Sequence, residues 1–401
     1  MKRLLVAAVL VAAGWLAWSL RAQNAWHPGW KEVRPSAELG WELIPSKGGN
    51  NSRGMMGPEF AETPAPGRER VLIIGDSFIE NKLLPDELAQ AAIAAGLTRT
   101  EFLRGGMRGY ATDHYLLWYR LHGRKLKAKT VVLFWYAGND LAGIVKSRDN
   151  QGYQKPWFTL EDGKLVLHGS PIEDPKRHFP SDALAPWITH EWRDLLSPAQ
   201  AMADRGGRKT SSRRLVRGAW NLHYWLYDRL PAYRRVKDAV VGWRRGSDPK
   251  NVEAERALGD LWHLRNFAYT FFTKGEDLEA AWRLNDALIL QLAKEVQEEG
   301  AKFVVCLVPH LWQVDEESGK RFLSAAKAAG YDVDLEAPSK RMADFAKKHK
   351  IPFLDFAGPL RQASKEGMTY DQKNAFAHWS PLGVKAASKA LVDFLAPRIH
   401  K

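Results

Sequence analysis

The sequence predicts an α/β protein built on a three-layer, doubly wound parallel sheet. Three observations carry that expectation. Short β-branched or aromatic runs at 71–74, 101–104, 130–136, 302–308 and 352–355 read as strands. Stretches with helical periodicity lie between or after them, at 84–95, 113–122, 277–299, 339–348 and 381–395. The run Thr130-Val131-Val132-Leu133-Phe134-Trp135-Tyr136 does not alternate apolar with polar, as expected of a strand covered on both faces. Strands alternating with helices pair in parallel, and right-handed crossovers put helices on both faces.

Taken in chain order, Met1-Lys2-Arg3 precede an uncharged apolar run from Leu4 to Leu20, long enough for a short membrane span. The small-x-small cleavage pattern behind it is poor, which favours an uncleaved signal anchor in 1–22 over a removed signal peptide. The basic start would leave the remainder outside the cytoplasm. Residues 23–70, rich in Pro, Gly and polar groups, read as an irregular lead-in. Residues 71–400 read as one domain, interrupted by an insertion at 145–275. That insertion opens on a hairpin, 157–160 and 165–167, around the turn signal Glu161-Asp162-Gly163. It continues as helical stretches dense in Trp, Tyr and Arg.

The formal net charge of +13 fits an acidic partner. Anionic glycan and anionic lipid headgroups suit it; nucleic acid is not expected, because no zinc-finger spacing or RNA-binding signature is present. Arg205, Arg208, Lys209, Arg213, Arg214 and Arg217 of the insertion, near Trp220, Tyr224 and Trp225, read either as solvated basic faces over an aromatic core or as a surface for such a glycan or membrane. The lone Cys306 sits in an apolar strand and reads as a small hydrophobe. His190, His223 and His263 lack metal-ligand spacing, so neither a metal nor a cofactor is expected.

Ligands of doubly wound sheets bind beyond the carboxyl ends of the strands. Those ends carry Gly75-Asp76-Ser77, Gly109 and Gly138-Asn139-Asp140. A serine hydroxyl needs an adjacent base to attack an ester, and the oxyanion it creates needs donors already in place. The amides of Ser77 and Gly109 and the side-chain amide of Asn139 form such a set. Asp76 and Asp140 read as loop organisers. His310 reads as a satisfied loop histidine at another strand end, and Trp379 as packing under the histidine loop.

Four blocks resemble the SGNH (GDSL-like) hydrolase family, in family order: Val71-Leu72-Ile73-Ile74-Gly75-Asp76-Ser77-Phe78, Arg104-Gly105-Gly106-Met107-Arg108-Gly109-Tyr110, Ala137-Gly138-Asn139-Asp140 and His378-Trp379-Ser380-Pro381-Leu382-Gly383. The resemblance implies a flavodoxin-like sheet, Ser77 as nucleophile, His378 as its base, and Ser77, Gly109 and Asn139 around the oxyanion. The sequence departs from the family twice. Phe376 and Ala375 stand where the family has an aspartate before the histidine, and Arg104 stands where its second block has asparagine. The first departure leaves a Ser-His dyad, a backbone carbonyl, or a distant carboxylate, with Asp371 the nearest in sequence. The chain is similar to extracytoplasmic members linked to bacterial polysaccharide acylation. That implies a serine esterase or O-acyltransferase of the cell envelope, tethered to the inner membrane through 4–20 or secreted if cleaved. Its substrate would be a small ester or acylated glycan, with acetyl the expected group. The alternative is a catalytically degenerate binding or scaffold protein of a polysaccharide assembly system.

Overall fold

The computed structural model describes residues 32–147, 154–172, 269–328, 331–371 and 378–399. Five parallel strands form its central sheet: β3 (Glu69–Gly75), β4 (Thr100–Gly106), β5 (Thr130–Tyr136), β8 (Lys302–Val308) and β9 (Phe353–Asp355). They are ordered β4-β3-β5-β8-β9. The chain leaves β3 toward one edge, returns beside it as β5 and then winds the other way, so the crevice opens where the direction reverses.

The continuous apolar runs have a simple cause. Along β5, Val131, Leu133 and Trp135 enter one core and Val132, Phe134 and Tyr136 the other, and β8 divides its residues the same way. Helices α2 (Thr112–Leu121), α4 (Glu276–Glu298) and α7 (Ala337–His349) contribute buried side chains to the first core. Helices α1 (Leu84–Ala94), α8 (Ala357–Ala363) and α9 (Pro381–Ile399) contribute to the second. The three-layer expectation holds in these residues. Cys306 is buried in the second core, as its strand context requires.

Short helices α3 (Asp140–Ile144), α5 (Leu311–Val314) and α6 (Glu316–Ala328) complete the described segments. The predicted insertion hairpin is present as β6 (Trp157–Glu161) and β7 (Lys164–His168). Asp162 and Gly163 both have positive φ, as a primed two-residue turn demands.

The lead-in differs from the expectation of irregular chain. It contains an antiparallel pair, β1 (Val33–Ser36) and β2 (Gly40–Leu43); Leu39 of the turn between them and Trp41 and Leu43 of β2 are buried in the first core. Strands of four residues carrying Pro35 leave little periodicity to read. The apolar run 4–20 and residues 173–268 of the insertion, with the basic cluster, lie outside the described residues. Among the described residues, no helix is long and apolar enough to cross a membrane.

Candidate active site

The Ser77 turn grows directly from the sheet. Strand β3 ends at Gly75, Asp76 caps the following 3-10 turn Ser77–Glu80 by accepting from the Phe78 amide at 3.0 Å, and Ser77 is left half-buried at the rim. Gly75 lies opposite Gly106 of β4. The two backbones approach so closely that a Cβ on Gly106 would lie 2.2 Å from the Gly75 carbonyl oxygen, and Gly106 has φ +101°. Only glycine fits there. The chain then runs through Met107 and Arg108 to Gly109, whose φ of +80° turns an exposed loop beside Ser77's strand.

His378 reaches the same rim from the far end of the chain. Its Nε2 lies 2.7 Å from Ser77 Oγ across 301 positions of sequence. To accept that hydroxyl proton at Nε2, the ring must carry its own proton on Nδ1. The histidine loop is braced by an isolated antiparallel bridge between Tyr370 and Trp379. Within it the Asp371 amide donates to the His378 carbonyl at 2.7 Å, so the contact described between these two residues is main-chain. Asn81, just after the Ser77 turn, donates to the Trp379 carbonyl at 3.2 Å. Trp379 Nε1 donates to Tyr370 Oη at 3.3 Å, and Tyr370 in turn donates to the Pro309 carbonyl. Phe78 meets the rings of both His378 and Trp379, so the His378 ring rests on packed aromatics. Trp379 is thus packing, as the sequence indicates.

Burial pushes the His378 pKa below the ordinary histidine value, and the Arg108 charge adds to the effect. A histidine held neutral is ready to accept a proton. Burial acts in the opposite direction on Asp76, raising its pKa to about 6 against the amide of Phe78, the side chain of Asn139 and the amide of Ser77.

Asn139 follows β5 and places its side chain between the turn and the crevice. Its Nδ2 donates to Asp76 Oδ2 at 3.3 Å, and among the described residues nothing else accepts from that amide. Its second N–H has no acceptor among the described residues. Nor does anything among the described residues accept from the Gly109 amide. The Ser77 amide is shared with the Asp76 carboxylate. Ser77, Asn139 and the Gly109 loop stand at neighbouring strand ends, and His378 is in hydrogen-bond contact with Ser77. The four blocks converge.

The residues singled out as structural have visible partners. Asp140 accepts from the Tyr136 amide at 2.9 Å and from the Tyr115 hydroxyl at 2.9 Å. His310 caps α5, accepting from the Trp312 amide while its own amide donates to the Gln313 side chain. Arg104, in the position of the family's asparagine, donates to the carbonyls of Ile79 and Asn81 at 2.7 and 3.1 Å. It closes the end of the Ser77 turn.

Sequence reasoning missed two contributors. Glu80 ends the Ser77 turn and accepts both the amide and Nε of Arg108. Trp41, from the lead-in, packs beneath Gly109 and donates to the Arg108 carbonyl at 3.2 Å. Neither contact has a sequence period, and nothing singles out Trp41 from Trp26 and Trp30 of the same lead-in.

Comparisons with known proteins place the resemblance in context. No family model matches the sequence, and no curated protein does. Similar solved structures include a GDSL-like lipase from Bacteroides thetaiotaomicron, at 10% identity and TM-score 0.33, covering 85% of this chain and 93% of that one. An acetyl xylan esterase is 10% identical at TM-score 0.35, covering 82% of this chain and 99% of its own. A lipase/acylhydrolase from Enterococcus faecalis is 12% identical at TM-score 0.35, covering 82% and 96%.

Proposed function

We propose that this chain is a serine-dependent ester hydrolase or O-acyltransferase of the SGNH type, acting outside the cytoplasm on an acyl ester, with acetyl on a carbohydrate as the expected substrate. One observation carries the reading: a nucleophile-type serine on a tight strand-end turn lies 2.7 Å from a histidine nitrogen contributed from 301 positions away. The preset donors around that serine, Asn139 and the Gly109 amide, support acyl transfer over a purely binding role.

The course follows from the geometry. Ser77 Oγ attacks the ester carbonyl carbon as His378 Nε2 takes its proton, and the carbonyl oxygen becomes an oxyanion facing Gly109 and Asn139. Collapse breaks the ester C–O bond, and the imidazolium returns its proton to the departing alcohol. Water or a sugar hydroxyl then attacks the acyl-Ser77 carbonyl, again through His378, and Ser77 is regenerated. Water makes the protein an esterase; a sugar hydroxyl makes it an O-acyltransferase.

The test uses the chain without residues 1–22 and a short-chain acetyl ester. Turnover is expected to fall by at least about 10³-fold in Ser77→Ala and in His378→Ala. Mass spectrometry after incubation with an activated acetyl donor is expected to find the adduct on Ser77. Equal turnover in wild type and Ser77→Ala would end this reading.

A further inference from the structure

We infer that Glu80 is a positioning residue, which grips Arg108 to hold the oxyanion loop at a fixed distance from the nucleophile turn. The inference rests on the assignment of Ser77 and His378 to acyl transfer and adds a residue which that assignment does not require.

The argument begins with where Glu80 sits. It is the last residue of the 3-10 turn that Ser77 opens, three positions from the nucleophile. One carboxylate oxygen accepts the Arg108 main-chain amide at 2.8 Å, and the other accepts Arg108 Nε at 2.7 Å. The first bond fixes the backbone one residue before Gly109. The second ties the Arg108 side chain to the same anchor. A carboxylate that bridges two segments through a backbone amide and a guanidinium uses both oxygens in charge-assisted bonds, which are shorter and stronger than neutral ones. Arg108 reaches further to Glu32 of the lead-in at 3.0 Å, and Trp41 Nε1 donates to the Arg108 carbonyl. Turn, loop and lead-in are thus joined at a single arginine.

The chemistry needs that junction. The oxyanion forms where Ser77 has attacked, and a donor on the Gly109 loop helps only if it is held at hydrogen-bond distance from that point. Gly109 has φ +80° and no side chain of its own with which to anchor. Its neighbour Arg108 supplies the anchor through Glu80.

The same contact acts on the base. Arg108 is the charged group that works with burial to depress His378. Other charged groups face the clamp as well. Glu80 raises the pKa of Asp76 and supports the charge of Arg104, while Glu32 shares Arg108. Removing the Glu80 charge leaves Arg108 less compensated beside His378, so the acid limb set by His378 is expected to move toward lower pH.

Glu80→Ala and Glu80→Gln are compared with wild type and Ser77→Ala by steady-state turnover of p-nitrophenyl acetate across pH, with thermal unfolding of each protein. Glu80→Ala is expected to lower kcat about 10²-fold with KM within about two-fold, since misplacing a donor by an ångström costs that much. Glu80→Gln keeps an oxygen for the Arg108 amide. It is expected to recover kcat to within about 10-fold of wild type, with its acid limb at lower pH than the wild-type limb. Wild-type kcat in Glu80→Ala would overturn the inference. So would equal losses in both variants with an unmoved acid limb, which is the pattern of a merely structural residue. If Glu80→Ala does not fold, the Glu80→Gln pH profile decides alone. Wild-type turnover in Ser77→Ala would instead remove the assignment beneath the inference, an outcome separate from any behaviour of the Glu80 variants.

Discussion

His378 is half-buried beside an arginine, and both circumstances depress its imidazolium pKa. As a base it must be neutral, so the acid limb of kcat/KM is expected below the ordinary histidine value of about 6.5. Removing the charge in Arg108→Met takes away one of the two causes and should carry that limb upward; an unmoved limb would show that burial alone sets it. Asp76 titrates nearby, at about 6, and needs its own control. Burial raises its folded-state pKa above the unfolded value, so the protonated form is the one the fold favours. Its contribution to stability is therefore complete below about pH 4 and lost as pH rises through about 6. In Asp76→Asn that pH dependence should vanish, read from urea midpoints at pH 4 and 7. The same change places an amide where the carboxylate accepted from Asn139. The Asn139 donor is then misdirected, and kcat is expected to fall by about 10- to 10²-fold.

The element that sets the rim is the β3–β4 pair, joined through Gly75 and Gly106. A methyl group on Gly106 would lie 2.2 Å from the Gly75 carbonyl oxygen, at a φ that L-residues rarely adopt. Gly106→Ala is expected to cost more than about 2 kcal/mol, seen in the urea midpoint, and to abolish turnover because the loop behind it carries Gly109. Such strand ends were readable in advance: a strand buried on both faces has an unbroken apolar run, and β3, β5 and β8 announce themselves so. The ends of α1, α4 and α9 were readable within a few residues. The β1–β2 pair was not, because four-residue strands bind by burying Leu39 and Trp41 against a core assembled much later in the chain. Ser77 and His378 were named from motifs, but their 2.7 Å contact depends on the Tyr370–Trp379 bridge, which no local pattern encodes. Arg104 read as a departure, and Arg108 carried no role within its block, since their partners Ile79, Asn81 and Glu80 lie 23 to 28 positions away and leave no period.

At the scale of the molecule, the lead-in belongs to the same folded body as the sheet. Trp41 lies under the Gly109 loop, the Tyr110 hydroxyl donates to the Trp41 carbonyl at 2.8 Å, and the His114 ring meets the Leu39 carbonyl at 3.1 Å. Behind them, Lys155 from the insertion pairs with buried Asp113, and the Ile172 amide donates to the Ala37 carbonyl at 2.7 Å. Lead-in, insertion hairpin and sheet thus share one buried region and should unfold together. Two truncations separate that region from the apolar run before it. Removing residues 1–22 deletes the apolar run, and any sedimentation with membranes should disappear with it. Removing 1–44 strips Val33, Leu39, Trp41 and Leu43 from the first core. Each buried apolar side chain of this size contributes about 1.5–3 kcal/mol, against a total stability of about 5–15 kcal/mol for a domain. The shorter chain should therefore be unfolded or protease-sensitive, and inactive even where it is soluble, because Gly109 has lost its support. A 45–401 chain that melts at the full-length temperature and turns over acetyl ester would show the lead-in to be a passive tether.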